Sequence, residues 1–400
     1  MARMNHMDES YSQLQLVQQG ARIDPDLIEM EAPTPRDLNR TGVLIPAYNE
    51  EPVMDATIDS LLRAGFSQVD IYIVDDRSTD RTAEIARARG VNVYTVPVNG
   101  GKARAQIQAL EYFNLLNRYS WMIFLDGDTK IDPDFLKAMK EAAAKDPTAG
   151  LFLGQVKSVK NNHIFSASRA FDYTYGQEVN KTGQHNFNVV FVAPGCASMY
   201  KTDVLAKLKI DHMTLAEDMD LTMQVHRAGG RVVYVPKAIV NTQDPATFKD
   251  YHKQTLRWYR GFWQVVIKHG VFHPFKRKQR VDWYMIMLSA DAIIFNRVLW
   301  LAVLAYAISW TSMFVALGID VATAGVICFY CAWKTRRFDV LWKFPVYYWI
   351  NYLNFYAYMR AFWEIMIRRK ELLAWNKVKR YNFDDPGSGA KKADPTSLAQ

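Results

Sequence analysis

Thr41-Gly42-Val43-Leu44-Ile45-Pro46-Ala47-Tyr48-Asn49-Glu50, TGVLIPAYNE, opens the patterned part of the chain. Its apolar run, 42–46, is strand-length and breaks at a polar turn. A helical pattern follows over 51–64, with Val53, Met54, Thr57, Ile58, Leu61 and Leu62 at helical spacing and Gly65 at its end. Working outward, the same unit recurs. Runs at 71–74, 91–96 and 121–125 read as strands, and 80–89 and 102–116 as helices, the latter carrying Ala103, Ile107 and Leu110. Strands alternating with helices predict an α/β fold, a mostly parallel sheet with helices on both faces. Ligands in such folds bind beyond the carboxyl ends of the strands. Further strands are expected at 151–156, 189–193 and 231–235, and helices at 133–145, 164–180 and 217–228.

The 400 residues are 50% hydrophobic, 13% aromatic and 22% charged, which excludes wholesale disorder. Lys and Arg exceed Asp and Glu by 49 − 41 = +8, a balance that suits nucleic acid, anionic lipid or phosphorylated ligands alike. Residues 1–40 are polar, carry Pro25, Pro33 and Pro35, and read as a tail; they hold no apolar run of signal-peptide type, so a cytosolic N-terminus is expected. Cys328 and Cys331 have C-x-x-C spacing, but they lie in an apolar stretch with no second Cys/His pair after them, and read as small core residues.

Beyond residue 283 the character changes. Residues 298–318 are 21 in a row without a charge, long enough to cross a hydrocarbon core, and a membrane span is expected there. Two shorter uncharged runs follow at 321–333 and 344–359, the second crowded with Tyr and Trp as in an interfacial belt. Clusters at 276–280, 334–337 and 368–370 supply positive charge between and after them. This predicts a multi-pass or hairpin-anchored protein whose catalytic domain is cytosolic; a buried helical domain is the other reading. The basic residues cluster beside apolar runs, so lipid headgroups are the expected anionic partner and no nucleic acid is expected.

Carboxylates stand where strands end: Asp75-Asp76 after 71–74, and Asp126-Gly127-Asp128 after 121–125. Hard oxygen ligands on alternate residues suit Mg²⁺ or Mn²⁺, with phosphates completing the shell; a solvated turn capping the next helix is the competing reading. Neither G-x-G-x-x-G nor a P-loop is present, which counts against a dinucleotide dehydrogenase and a P-loop ATPase. Asn99-Gly100-Gly101-Lys102 opens a helix after a strand and offers N–H groups and an ammonium to an anion. Ala216-Glu217-Asp218 starts another helix. Gln254, Arg257 and Trp258 stand at i, i+3 and i+4, so an amide, a guanidinium and an indole share one helix face, a set suited to a sugar next to a phosphate or to a membrane surface.

In this order, Pro46-Ala47-Tyr48-Asn49-Glu50, Val74-Asp75-Asp76-x-Ser78, Asn99-x-Gly101-Lys102, Asp126-x-Asp128, Glu217-Asp218 and Gln254-x-x-Arg257-Trp258 resemble the family-2 inverting glycosyltransferases. In particular they resemble the membrane-integrated synthases of cellulose, hyaluronan, chitin and poly-N-acetylglucosamine. The resemblance covers about 41–265, with a looser match in the membrane segments and in Trp375-x-Lys377-x-x-Arg380. It implies a GT-A type nucleotide-sugar-binding fold followed by C-terminal interfacial and transmembrane helices. By resemblance, Ala47, Tyr48, Glu50 and Asp76 line the uridine pocket, Lys102 and Asp126 meet the nucleotide, Asp128 holds Mg²⁺ or Mn²⁺, and Asp218 is the general base. Glu217, Gly195, Cys196, Gln254, Arg257 and Trp258 then belong to the acceptor and diphosphate. Cys196 and Ala197 depart from the commoner forms of the Gly195–Ser198 loop, and this chain shows no N-terminal membrane helices, unlike many synthases.

The resemblance thus implies transfer of a sugar from a nucleotide-sugar, a UDP-sugar by expectation, to a growing glycan at the cytosolic membrane face. Single transfer to a polyprenyl-phosphate or other lipid acceptor is the rival within the same chemistry, and a non-catalytic nucleotide-sugar or membrane-surface binder is the rival from another class. The expected division is a tail over 1–40, a catalytic domain over 41–250, acceptor and interface helices over 251–280, membrane helices over 281–367 and a basic tail over 368–400. Oligomerisation is left open.

Overall fold

A computed structural model describes residues 37–159, 164–211, 213–245, 247–294, 303, 307–336 and 338–370. Most of the expected tail, the 375–380 segment and the basic residues beyond 370 lie outside the described residues.

An eight-stranded sheet forms the centre, with spatial order β3-β2-β1-β4-β7-β6-β8-β5. Its strands are β1 Asp37–Ala47, β2 Ile71–Asp75, β3 Asn92–Thr95, β4 Tyr119–Phe124, β5 Thr129–Ile131, β6 Ala149–Ser158, β7 Ser198–Lys201 and β8 Arg231–Thr242. β1 pairs in parallel with both β2 and β4, and β2 with β3, as the alternating pattern requires. β7 then runs antiparallel to β4 and β6, and β5 antiparallel to β8, so the sheet is mixed. The connection from β1 goes to one side toward β2 and the sheet continues on the other side at β4, which opens a crevice at their carboxyl ends. The motif carboxylates emerge there.

Helices α1 Glu51–Arg63, α2 Thr82–Ala88, α3 Lys102–Tyr112 and α4 Phe135–Lys145 pack on the sheet. Gly65, at φ +90°, ends the α1 region as its left-handed backbone demands. One core layer joins Ile45, Met54, Ile58, Ile73, Phe135 and Phe152; the opposite face joins Leu44, Tyr72, Ala109, Leu110, Tyr119 and Tyr200. Alternate residues of one strand thus serve both faces.

Two expectations need correcting. Residues 189–193 are not a strand. Side chains satisfy this extended segment instead: Thr222 Oγ1 accepts from Ala193 N–H at 2.9 Å, and His226 Nε2–H donates to the Val190 carbonyl at 2.7 Å. The neighbouring strand is β7, which begins five residues later at Ser198. The helix beginning at 164 is also longer than expected: α5, Ile164–Tyr175, widens into a π-helical turn at Gly176–Lys181 and continues through Asn186.

Three elements link the sheet to the C-terminal half. Helix α6, Glu217–Arg227, carries the acidic pair, and α7, Phe248–Lys268, crosses behind it. Asp220 accepts from Lys268 Nζ at 2.8 Å and pairs with His269 Nε2 at 2.7 Å, while Gln264 Oε1 accepts from Leu215 N–H at 2.8 Å. At Gly261 a Cβ would stand 2.5 Å from Ala216 Cβ, so glycine lets α7 lie directly on the residue before Glu217. Gly261 is therefore a close helix contact inside a continuous helix.

The far side of α7 is also covered. Trp263 is fully buried, with Tyr358 and Phe362 ring centroids 5.3 and 5.0 Å away, and Arg260 bonds Glu364 through Nε at 2.8 Å and Nη2 at 2.6 Å. Arg260 thus meets a carboxylate of the same chain rather than standing out toward headgroups. Lys276 Nζ donates to the His269 carbonyl, and Lys278 Nζ to those of Gly270, Val271 and His273, so part of the basic 276–280 cluster caps the end of α7.

Helices α8, Arg280–Ile294, α9, Trp310–Thr335, and α10, Phe344–Phe362, complete the described chain. The expected span at 298–318 is divided, because Ser309 caps α9 by accepting from Ser312 N–H, and the residues before it lie largely outside the described ones. The run at 321–333, read from sequence as a separate shorter run, joins it. Over Trp310–Lys334 this helix is long and apolar enough to cross a membrane by length and composition, and 17% of its most apolar window is buried. Among the described residues it is the one helix that meets this measure. Its Cys328, Cys331 and Ala332 pack with Phe171 of α5, which leaves the two cysteines as core residues of a helix contact.

Candidate active site

The site begins with backbone. Asp76 N–H donates to the Ala47 carbonyl at 2.8 Å, locking the end of β2 to the end of β1. The adjacent Asp75 turns inward and accepts from Ser78 N–H at 3.0 Å, so it closes the turn. Asp76 accepts from Gly100 N–H at 2.9 Å and Gly101 N–H at 2.8 Å. Those N–H groups, expected to meet an outside anion, are engaged by a carboxylate of the chain. Burial raises the Asp76 pKa despite both bonds.

Lys102 opens α3 and crosses to the other strand ends. Its Nζ lies 2.7 Å from Asp126 Oδ1 and 2.9 Å from Glu217 Oε1. Burial alone would lower its pKa, but Asp126, Glu217 and Asp218 outweigh that and hold the ammonium well above its ordinary range. Burial pushes Glu217 up, and Lys102 and Arg257 more than reverse it, so its carboxylate is held low. Asp218 goes the other way: burial and then the Glu217 charge raise it. Two adjacent carboxyls are thereby driven apart in acidity, the pattern that separates a permanent anion from a proton acceptor.

Asp218 is fixed by backbone donors. Gly195 N–H reaches its Oδ2 at 3.2 Å and Met219 N–H its Oδ1 at 2.8 Å. A Cβ on Gly195 would lie 2.7 Å from Lys102 Nζ, so the loop 194–197 is shaped around that ammonium. Burial, with Asp126 and Asp128 next, pushes the Cys196 thiol well above its ordinary value. It therefore sits there as an uncharged side chain. On the other side, Gly127 lies against the Glu50 side chain and its carbonyl accepts from Thr57 Oγ1 at 2.9 Å, which sets the turn between Asp126 and Asp128.

Asp76, Lys102, Asp126, Asp128, Gly195, Cys196, Glu217 and Asp218 face one cavity of about 880 Å³, near the upper end for small-molecule sites. The residues given a site role by resemblance all line it: Ala47, Tyr48, Glu50, Asp76, Lys102, Asp126, Asp128, Gly195, Cys196, Glu217, Asp218, Gln254, Arg257 and Trp258, whereas Asp75 does not. The cavity continues past Trp258 to Leu288, Ala292, Asn351, Asn354, Phe355 and Tyr358 on α8 and α10.

Sequence reasoning missed one wall. Arg169, Asp172, Tyr173, Gln177 and Lys181 line the cavity from a single helical stretch. Their spacing of 3, 4, 8 and 12 from Arg169 was the available signal, a polar stripe within an otherwise apolar segment. Burial pushes Asp172 up to about 6 and Lys181 down to about 7. Lys181 Nζ donates to the Val192 carbonyl and lies 5.7 Å from the Phe191 ring centroid, contacts that a neutral amine retains.

A mixed sheet with acidic strand ends facing one cleft defines the class as a GT-A glycosyltransferase fold. The family model described as "Glycosyltransferase like family 2" matches residues 39–261, and the chain belongs to that family. An N-acetylglucosaminyltransferase of Rhizobium meliloti (strain 1021) is 29% identical over 258 residues, 60% of this chain and 59% of that protein. The poly-beta-1,6-N-acetyl-D-glucosamine synthase of Staphylococcus epidermidis is 25% identical, over 63% of this chain and 61% of its own length. The chain thus spans about six tenths of these two relatives. A probable glycosyltransferase of Bacillus subtilis (strain 168), YdaM, is 24% identical over 88% of this chain and 89% of its own. Among solved structures, the mannosyltransferase PcManGT of Pyrobaculum calidifontis, in complex with GDP-Man and Mn²⁺, superposes with a TM-score of 0.53 and 20% identity, covering 86% of this chain and 95% of that one. That likeness is one of fold.

Proposed function

We propose that the protein is a metal-dependent inverting glycosyltransferase that moves a sugar from a nucleotide diphosphate to a growing glycan at the cytosolic face of a membrane. The observation that carries this reading is the meeting of Lys102, Asp126, Asp128, Glu217 and Asp218 at one end of a cavity whose other end is lined by Gln254, Trp258 and the amides and aromatic rings of α10. Charged groups suit a diphosphate; indole, phenol and amide groups suit pyranose faces and hydroxyls. The names of the relatives make UDP-N-acetylglucosamine the first donor to test.

In the reaction, an acceptor hydroxyl oxygen bonds to the anomeric carbon as the bond from that carbon to the leaving phosphate oxygen breaks. Asp218 takes the hydroxyl proton; its raised pKa makes it the better base of the acidic pair, and its two backbone donors keep it aimed. Glu217, held ionised, keeps Lys102 in place, and Arg257 with Lys102 binds phosphate oxygens. Ala47, Tyr48, Glu50 and Asp76 enclose the base and ribose. Gly195 and Cys196 give the acceptor a shallow floor.

Among the described residues no three His, Cys, Asp or Glu side chains form a ready cage for an ion. Asp126 and Asp128 face the cavity, carboxylates of the kind Mg²⁺ or Mn²⁺ binds, one or two at a time, while phosphates complete its shell; Asp128 would hold it. When bound, the ion neutralises charge growing on the leaving diphosphate. The apolar outer face of α9 supports anchoring in lipid, and no nucleic acid is assigned as a partner.

The full chain, purified in detergent, is incubated with labelled UDP-N-acetylglucosamine and a panel of other sugar nucleotides, with Mn²⁺ or with chelator, and the products are sized. High-molecular-weight product that a glycosidase degrades supports the reading. A single labelled lipid would instead make the acceptor a lipid phosphate. No release of nucleotide from any donor would leave only a binding protein.

A further inference from the structure

Arg169 belongs to none of the motifs above, yet it lies at the centre of the acceptor-side wall and is 4% exposed. Its Nη2 donates to Gln254 Oε1 at 3.1 Å and to Thr255 Oγ1 at 3.0 Å. The guanidinium carbon stands 4.4 Å from the Trp258 ring centroid and 4.3 Å from that of Tyr251. Asp172, one helical turn on, is at ion-pair distance, 3.6 Å. One planar cation therefore meets two aromatic faces while donating to the amide and hydroxyl of α7. A lysine, with a compact ammonium and no plane, cannot make that set of contacts.

We propose that Arg169 is the positioning residue of the acceptor motif, fixing the Gln254 amide and the Trp258 indole in the orientation that receives the acceptor sugar. A guanidinium has no acceptor atom, so it dictates which end of the Gln254 amide faces it: the oxygen. The amide NH₂ is then the end that meets a ligand, and Gln254 reads acceptor oxygens as a hydrogen-bond donor. The two rings hold the plane of the cation and Asp172, at ion-pair distance, balances its charge, so the wall is rigid while presenting little net charge to an uncharged glycan. This inference rests on the glycan-acceptor reading of that end of the cavity.

The test uses the full chain with R169M and R169K. UDP-N-acetylglucosamine is the donor and a soluble N-acetylglucosamine tetramer the acceptor. The expected result is an acceptor KM raised about tenfold in R169M, with donor KM and UDP affinity within about twofold of wild type. R169K should recover only a small part of the loss, because it restores charge without the planar fork. Iodide quenching of Trp258, isolated by subtracting W258F, should increase in the R169M background. An unchanged acceptor KM, or a parallel fall in UDP affinity and melting temperature, overturns the proposal. If wild type transfers no sugar to the tetramer, quenching decides alone: Trp258 shielded equally with and without Arg169 overturns the inference, whereas the failed transfer bears on the proposed function.

Discussion

At the donor end of the cavity Lys102 is met closely by formal charges, the carboxylates of Asp126 and Glu217 with Asp218 behind them; at the far end Arg169 is met by two ring faces, an amide and a hydroxyl, with its one carboxylate neighbour, Asp172, farther off at 3.6 Å. Both cations are largely withdrawn from water, and each solution suits a different guest. Opposed charges at the donor end can be redistributed when a diphosphate arrives. Aromatic and amide partners at the far end have no such response, and they keep one shape for a neutral ligand. Binding charge and binding a sugar face are thus assigned to different chemistry along one cavity.

The comparison breaks most severely at Asp218. D218N should lower turnover by about 10²–10⁴-fold while UDP still binds by titration calorimetry, since a positioned base contributes that much. Equal loss of binding would mean that the residue shapes the pocket instead. K102M comes next, with turnover reduced by about 10²-fold. Glu217 is held low by Lys102, so without it protonation begins at higher pH, and the acid limb of the pH–rate profile should move upward. G195A is expected to cost about tenfold, as its methyl displaces the Lys102 ammonium and a flexible side chain can yield. An unaltered rate would show that the ammonium position is not critical.

The last effect is on stability rather than on rate. Lys181 has a pKa near 7 in the folded protein and an ordinary value of 10.5 when exposed. Between those values the unfolded chain binds more protons, so stability should rise with pH across that window, by at most about 1.4 kcal/mol per pH unit from this group. Denaturation of wild type and K181M across pH 7–10 checks it: the variant should lack that rise.

The donor end was legible because its residues sit in short segments at strand ends, 46–50, 75–76 and 126–128, or at a helix start, 217–218. A strand terminus and a carboxylate within two residues make a local signal. The far wall was not legible, because Arg169 and Lys181 are separated by three helical turns and meet their partners only through tertiary packing. Extended geometry misled at 189–193, where Val and Phe suggested a strand but hydroxyl and imidazole groups replace the ladder. Conversely β5 and β7, at three and four residues, were too short to show a period. Counting apolar residues over 298–318 missed the serine cap that starts α9 at Trp310.

Helix α7 has one flank on Leu215 and Ala216, just before the acidic pair, through Gly261 and the other against α10 through Trp263. The family match stops at residue 261, between those two contacts. A fragment trimmed to that boundary would sever the helix, lose Trp263 and α10, and turn the remaining apolar face of α7 toward solvent, inviting aggregation rather than yielding a tractable enzyme. Expression trials gain by retaining the chain through Ile367, so that the scaffold holding Gln254 and Trp258 is delivered together with the carboxylates it serves.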